Sequence, residues 1–156
     1  MKNDLISKDT IFLDLVVKTK DELFLMMSEE LFKLNKIESK EAFYESLKQR
    51  ESIITTGIGD GIGIPHAKDK TVYHPFVAFI KIENGIEYEA LDKKKVDLVF
   101  MLAVSENSER LHLEILANLS RHLLNEGFIK RLRNSSTVEE TYEVLKEIES
   151  EVNFKK

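Results

Sequence analysis

Two kinds of apolar pattern alternate along the chain. Nearly continuous apolar runs occupy residues 11–17, 76–82 and 96–104, as is typical of strands buried on both faces of a sheet. Elsewhere apolar side chains recur at helical spacing, as do Leu111, Ile115 and Leu119, which predicts amphipathic helices. Because not every link between strands has a helical pattern, we predict an α/β single-domain sandwich with a central mixed β-sheet flanked by helices.

Polar residues before the helical patterns predict where helices begin. Residues 19–22 and 136–139 have the spacing of capping boxes. Residues 39–50 predict a second helix, with Ser39 as its cap and its end near Arg50. A long helix is expected to open at residue 107 and to stop at Gly127, since glycine commonly ends helices.

Composition narrows the class of protein. The chain has 156 residues, of which 42% are hydrophobic and 33% charged, and a net charge of −5. This fits one globular domain over residues 1–156 and argues against a nucleic-acid binder. No apolar run approaches the ~20 residues of a membrane span, and no signal peptide is evident, so we expect a cytoplasmic protein without membrane insertion. The absence of cysteine excludes a disulfide scaffold and a thiol nucleophile.

The most informative segment is a cluster of glycines followed by a histidine. Four of the six glycines fall within residues 57–63, and Ile64, Pro65 and His66 follow directly. Proline restricts the backbone beside it, so the segment would present the His66 imidazole at a rigid spot near backbone N–H groups that attract an anion. The alternative is a glycine-rich turn with an incidental histidine. The segment has neither a Walker-loop ending nor a dinucleotide-binding spacing.

Two further residues are candidates for the same site. His112 lies beside the apolar stripe of its helix, and Arg50 directly precedes the glycine segment with a guanidinium suited to phosphate. Alternatively, His112 is a half-buried structural histidine and Arg50 a solvated residue at a helix end. No two histidines have the spacing of metal ligands, so neither a metal nor another cofactor is expected.

The segment 56–68 resembles the active-site signature of the fructose/mannitol-type IIA domain of the phosphoenolpyruvate-dependent sugar phosphotransferase system. Arg50 and Glu51 precede it at the family's distance, and residues 96–103 and 111–119 resemble the family's central strand and its following helix. The resemblance implies a phosphotransferase. The donor would be the phosphocarrier protein HPr, and the acceptor a IIB domain, typically through a cysteine, during sugar uptake.

The resemblance also implies roles for particular residues. His66 matches the histidine that carries the phosphoryl group, on Nε2, with Nδ1 held by a local hydrogen bond. His112 matches a second active-site histidine, and Arg50 an arginine of the same pocket. Backbone groups near the signature histidine are expected to bind the phosphoryl group or the partner. Ile58 and Ile62 are expected to lie at the edge of the partner surface. The binding residues expected are Gly61, Ile62, Gly63 and Pro65.

Two positions depart from the family's commonest pattern. Asp60 stands where asparagine is usual, and Gly63 where alanine is usual. A carboxylate at Asp60, near an anion site, would weaken phosphate binding or change partner choice. Two alternative functions stay open: a nitrogen-type regulatory IIA relative that acts by binding proteins, and a non-catalytic small-anion binding module. The resemblance implies that the sugar is contacted by a IIC part and not by this domain.

Overall fold

A mixed β-sheet lies between two layers of helices in the computed structural model, which describes residues 5–149. A short 3₁₀ turn at Lys8–Thr10 precedes the first strand. The strands and helices follow in the order β1 (Ile11–Leu15), α1 (Lys20–Lys33), α2 (Lys40–Ile53), β2 (Gly57–Gly59), β3 (Ile62–Gly63), β4 (His66–Lys68), β5 (Phe76–Ile86), β6 (Val96–Val104), α3 (Glu109–Leu123), α4 (Glu126–Asn134) and α5 (Val138–Glu149).

The sheet has the order β1-β5-β6-β3-β2, and β4 also pairs with β6. β1 runs parallel to β5, and β3 and β4 run parallel to β6. The pairs β5–β6 and β2–β3 are antiparallel. The predicted mixed sheet and sandwich architecture are therefore confirmed. One edge of β6 carries β3 along its first half and β4 along its second.

Both faces of the sheet are buried, as the continuous apolar runs predicted. In β6, Val99 and Met101 belong to the core shared with α1 and α2. Phe100 and Leu102 belong to the core shared with the helices that follow β6. Because successive side chains of a strand point to opposite faces, one apolar run supplies both cores.

The first two predicted helix caps are confirmed. The Thr19 hydroxyl accepts a hydrogen bond from the N–H of Glu22, and the Ser39 hydroxyl accepts one from Ala42, at 3.0 and 3.1 Å. The helix capped by Ser39 ends at Ile53, three residues beyond the expected Arg50.

The cap of α5 lies one residue later than predicted. The Thr137 hydroxyl accepts a hydrogen bond from the N–H of Glu140 at 3.1 Å. The Glu140 carboxylate accepts one from the N–H of Ser136 at 2.9 Å. The capping box therefore joins Thr137 to Glu140, instead of Ser136 to Glu139.

The single long helix expected over 107–127 is wrong. α3 ends at Leu123, and α4 begins two residues before the buried Phe128. The Asn125 side chain caps α4 by accepting the N–H of Phe128 at 3.1 Å, so Gly127 lies in the first turn of α4 and does not end α3. An asparagine cap outweighs the glycine signal here because the break lets Phe128 enter the core.

The carboxyl end of α4 is capped from the sheet. Lys81 of β5 donates hydrogen bonds from Nζ to the carbonyls of Leu132, Arg133 and Ser135, at 3.0, 3.0 and 2.7 Å. A lysine in this place satisfies carbonyls that the helix leaves unpaired.

No helix within residues 5–149 is long and apolar enough to cross a membrane.

Candidate active site

His66 is the first residue of β4, beyond the break between β3 and β4 on the edge of β6. The Pro65 carbonyl accepts the N–H of Leu102 at 2.9 Å, which ties the residue before His66 to β6. Ala67 points into the core shared with α1 and α2. Because strand residues alternate, His66 and Lys68 point the other way, toward the start of α3.

The structure brings together the three residues singled out by sequence. The rings of His66 and His112 lie edge to face, with centroids 5.3 Å apart and planes at 64°. Arg50, at the end of α2, lowers the pKa of both histidines through its charge. Its Nη1 donates to the carbonyl of Ile54 at 2.9 Å. Three elements, α2, β4 and α3, thus supply one site, in which Arg50 is the cation.

Both histidines favour the neutral form. Burial lowers the pKa of His66 from 6.5 to about 4; the charges of His112 and Arg50 add to the lowering, and that of Glu51 opposes it. Burial also lowers the pKa of His112, followed by the charges of Lys68 and Arg50. At neutral pH both rings therefore keep a nitrogen lone pair, as a nucleophile requires.

The ring nitrogens of His66 are buried without protein partners. Neither Nδ1 nor Nε2 of His66 has a hydrogen-bond partner among the described residues, and the same holds for Nε2 of His112. The expected local hydrogen bond to Nδ1 of His66 is therefore not observed. Buried polar atoms are normally paired, so these nitrogens mark a place built for chemistry or for a ligand.

Two residues near this site were given no role by the sequence. Lys68 lies two residues after His66, and its Nζ is 3.5 Å from the Glu109 carboxylate at the start of α3. Glu51 follows Arg50, is almost buried, and raises the pKa of His66. Strand alternation could have signalled Lys68, since residues two apart share a face. Only the folded contacts reveal the role of Glu51.

The glycine segment is a hairpin and not an open loop of free N–H groups. β2 and β3 pair at Gly57 and Gly63. The N–H of Gly57 is donated to the Thr55 hydroxyl, and that of Ile64 to the Thr56 carbonyl. These two amides are therefore used within the protein and are not free to bind an anion.

The tip of this hairpin does not lie beside His66. Ile62 pairs with Leu98 of β6, whereas His66 pairs with Leu102, so the two lie roughly 13 Å apart along the sheet. Gly61 precedes Ile62 and lies farther still. Ile62 is only 3% exposed, so its expected place on the partner rim is wrong. Ile58, by contrast, is 46% exposed.

Asp60 serves the turn at the hairpin tip. Asp60 and Gly61 both have positive φ, 57° and 81°, as a two-residue hairpin turn of type I′ requires, and aspartate suits it as asparagine does. Arg133 donates to the Asp60 carbonyl at 2.8 Å and pairs with Asp97. Since this tip is distant from His66, the expected effect of the Asp60 carboxylate on phosphate binding does not follow.

Gly63 leaves room for a buried tyrosine. A Cβ at Gly63 would lie 3.2 Å from Cζ of Tyr88 and 3.3 Å from Cγ1 of Val96. A Cβ at Gly57 would lie 2.9 Å from Cδ1 of the same tyrosine. Glycine at position 63 therefore avoids a tight contact with the buried Tyr88 ring.

The surroundings of the site are partly apolar and offer no metal cluster. Among residues 5–149, no group of three or more histidines, aspartates or glutamates is gathered as a metal site would need. Ile53, Ile54 and Leu113 are exposed by 57% or more, on the chain segments that carry Arg50 and His112. These three exposed apolar residues are close in sequence to Arg50 and His112, and we call them the apolar border of the site.

Residues 4–148 match the model of a protein family, the phosphoenolpyruvate-dependent sugar phosphotransferase system, EIIA 2. Since the match covers most of the chain, the protein belongs to this family of phosphotransfer domains. The chain is 37% identical over 142 residues to the fructose-specific EIIABC component of Bacillus subtilis. That alignment covers 91% of this chain but 22% of the longer relative.

Solved structures show the same fold in two functional branches. The nitrogen regulatory protein IIA-Ntr from Neisseria meningitidis superposes with a TM-score of 0.84 and 31% identity, over 90% of this chain and 96% of that one. The mannitol IIA enzyme of Escherichia coli, solved in complex with phosphorylated IIB, gives a TM-score of 0.76 and 25% identity, over 90% and 98%.

Proposed function

We propose that this domain accepts a phosphoryl group on His66 from phospho-HPr and passes it to a IIB domain in coupled sugar uptake. One observation carries the proposal: the neutral His66 ring faces His112 and the charge of Arg50, and both of its nitrogens lack protein partners. Family membership supports the same chemistry. We include residues 1–156 in this one domain and place it in the cytoplasm.

The transfer step needs positioning and charge stabilisation. The lone pair of His66 Nε2 attacks phosphorus, the P–N bond of the donor phosphohistidine breaks, and its electron pair returns to the donor imidazole. Arg50, His112 and Lys68 are the groups available to stabilise the negative oxygens of the transferred group. In the second step a IIB thiolate attacks the same phosphorus, and His66 Nε2 recovers its lone pair.

The proposed partners meet the site through its apolar border. Ile53, Ile54 and Leu113 are exposed there, as suits a transient interface that brings two reacting atoms together. The mannitol IIA enzyme of Escherichia coli forms a complex with phosphorylated IIB, and we propose an equivalent acceptor for this chain.

A second candidate function is that of a regulatory IIA relative. The fold similarity to the nitrogen regulatory protein of Neisseria meningitidis favours it, with the higher TM-score of the two solved structures described above. Both functions would use His66. They differ in the acceptor, because a regulatory protein acts by binding other proteins and needs no IIB thiolate.

Phosphorylation in vitro tests the proposal. The chain is incubated with phosphoenolpyruvate, enzyme I and HPr, and its intact mass is measured before and after addition of IIB. We expect one phosphoryl group, labile in acid, which is lost to IIB. The His66→Ala variant should gain none, whereas the His74→Ala variant, altered at an exposed loop histidine, should behave as wild type.

The outcome also separates the three functions. Phosphorylation without transfer to any IIB favours the regulatory relative. A folded wild-type chain that takes no label while it binds inorganic phosphate favours the small-anion module and contradicts the proposal.

A further inference from the structure

A buried carboxylate lies where the end of α2 meets the start of β2. The Glu51 side chain is only 8% exposed. Its carboxylate accepts hydrogen bonds from the N–H and the hydroxyl of Thr56, at 2.8 and 2.7 Å, and from Lys20 Nζ at 3.0 Å. A buried charge is costly unless it is paired and hydrogen-bonded, and these three contacts meet that requirement.

Thr56 connects this carboxylate to the backbone before His66. While its N–H is donated to Glu51, its carbonyl accepts the N–H of Ile64 at 3.0 Å. The next residue, Pro65, is bonded to β6 through its own carbonyl. The two residues before His66 are thus held from opposite sides, and one of the two supports begins at Glu51.

Tyr88 fixes the direction of the hydrogen bonds around Thr56. The Thr56 hydroxyl has one hydrogen, which it donates to Glu51, so the Tyr88 hydroxyl donates to Thr56 Oγ1 at 2.7 Å. Burial and the Glu51 charge raise the pKa of Tyr88, which keeps this donor protonated. Lys20 Nζ lies 4.5 Å from the centre of the Tyr88 ring. Every polar group in this cluster therefore has a defined role.

The same end of α2 holds Arg50. Its guanidinium donates to the carbonyl of Ile54, while the next residue, Glu51, binds Thr56. Two consecutive side chains thus fasten the segment 54–56 to the helix end. Because both side chains belong to the same helix end, a shift of Glu51 would change the position of Arg50 relative to the backbone that supports His66.

We propose that Glu51 is a positioning residue for phosphotransfer, because it joins the Arg50-bearing end of α2 to the backbone that carries His66. This inference rests on the proposed function of His66. Glu51 does not touch the phosphoryl group; it acts through Thr56 and Ile64, and through its negative charge near the His66 ring. An error of 1 Å in such an arrangement can cost about a hundredfold in rate.

The variant Glu51→Gln tests this inference, with Glu89→Gln as its matched control. Glutamine keeps the shape and removes the charge. Glu89 also lies near Lys20 Nζ, at 3.6 Å, but is 87% exposed, so its pair is worth little. We expect Glu51→Gln to lower the rate constant of phosphorylation within the HPr complex by about ten- to a hundredfold. The half-saturating HPr concentration should stay unchanged, and Glu89→Gln should lose less than about fivefold.

Two readouts do not depend on phosphotransfer. In Glu51→Gln, NMR titration should show a lower pKa for the His66 imidazole, because the carboxylate that raises it is gone. The amides of Thr56 and Ile64 should exchange faster with solvent. If the wild-type chain accepts no phosphoryl group, the proposed function fails, and these two readouts still decide whether Glu51 supports His66.

Clear results would overturn the inference. The inference is contradicted if folded Glu51→Gln keeps the wild-type rate constant and the wild-type titration of His66. It is also contradicted if Glu51→Gln lowers Tm and leaves the rate constant unchanged. If Glu51→Gln does not fold, Thr56→Val takes its place, since it removes the hydroxyl bond to Glu51 and keeps the N–H bond. A wild-type rate constant in Thr56→Val would then refute the inference; the His66 titration should stay as in wild type, because the Glu51 charge remains.

Discussion

The two histidines of the site differ in what surrounds their rings. His66 carries two buried ring nitrogens without protein partners and lies against both His112 and the charge of Arg50. For His112 only Nε2 is such a nitrogen among the described residues, and burial, Lys68 and Arg50 lower its pKa. This difference supports the proposal that His66 forms the bond to phosphorus and that His112 stabilises charge.

Replacement of His112 by alanine should slow phosphotransfer without abolishing it. A hydrogen bond to a charged oxygen is worth about 1.5–3 kcal/mol, so a ten- to hundredfold loss is expected. Arg50 and Lys68 remain to stabilise the phosphoryl oxygens. Label incorporation and transfer to IIB measure the effect, with His66→Ala as the fully inactive reference. Complete loss of incorporation in folded His112→Ala would mean that His112 is needed for acceptance itself.

His66 should also make the stability of the protein depend on pH. Its pKa is about 4 in the folded chain and 6.5 when exposed, so the unfolded chain binds more protons between these values. Stability should therefore fall as the pH drops from 6.5 toward 4, by roughly 2–3 kcal/mol from this one group. His112 acts in the same direction.

Urea unfolding at pH 7.5 and pH 4.5 measures this dependence. The His66→Ala protein should lose less stability than wild type over that interval, and the exposed-site variant His74→Ala should follow wild type. Equal losses in wild type and His66→Ala would show that His66 is not held neutral in the folded state.

At the scale of elements, sequence predicted the three longer strands and missed the three short strands between residues 57 and 68 and the break between two helices. Apolar runs over 76–82 and 96–104 became β5 and β6 because both faces of these strands are buried. The break between α3 and α4 was missed because Leu123 continues the apolar pattern and Gly127 is a plausible helix end. The cap at Asn125 competes with that pattern only once Phe128 is packed. Local signals do not show which core a side chain will enter.

The cap of α4 by Lys81 should contribute measurably to stability. Lys81→Met leaves three carbonyls without their donor, at a cost of about 1–3 kcal/mol. The variant Lys130→Met, on the exposed side of α4, is the matched control and should change stability little. Chemical denaturation compares the two. Equal midpoints for both variants would show that solvent satisfies these carbonyls equally well.

For the whole molecule, the site is assembled from elements distant in sequence. Sequence identified Arg50, His66 and His112 separately, and the resemblance to a family grouped them; the structure brings them together where β4 meets β6. The hairpin tip at Gly61 was also expected at the site because it is close to His66 in sequence. Sequence does not reveal that the edge strand leads away from the site. The contacts of Glu51 join α1, α2 and the residue before β2; the family resemblance includes Glu51, but the sequence does not predict these contacts.

The apolar border of the site predicts a docking surface for HPr. Ile54→Glu should slow phosphorylation by raising the half-saturating HPr concentration, with little change in Tm, since Ile54 is 57% exposed. Leu124→Glu, at the far end of α3 and 85% exposed, is the control and should transfer normally. If both variants matched wild type, HPr would dock elsewhere. Ile62→Glu would instead unfold the chain, because Ile62 belongs to the core.

The packing of Tyr88 against Gly63 has an evolutionary consequence. A methyl group at position 63 would press on a ring and on Val96, and both neighbours are fully buried. Alanine at position 63 would therefore require Tyr88 or Val96 to shift by a few tenths of an ångström, which couples position 63 to position 88. An alignment of relatives should show tyrosine at position 88 with glycine at position 63, and smaller residues at position 88 wherever alanine occupies position 63.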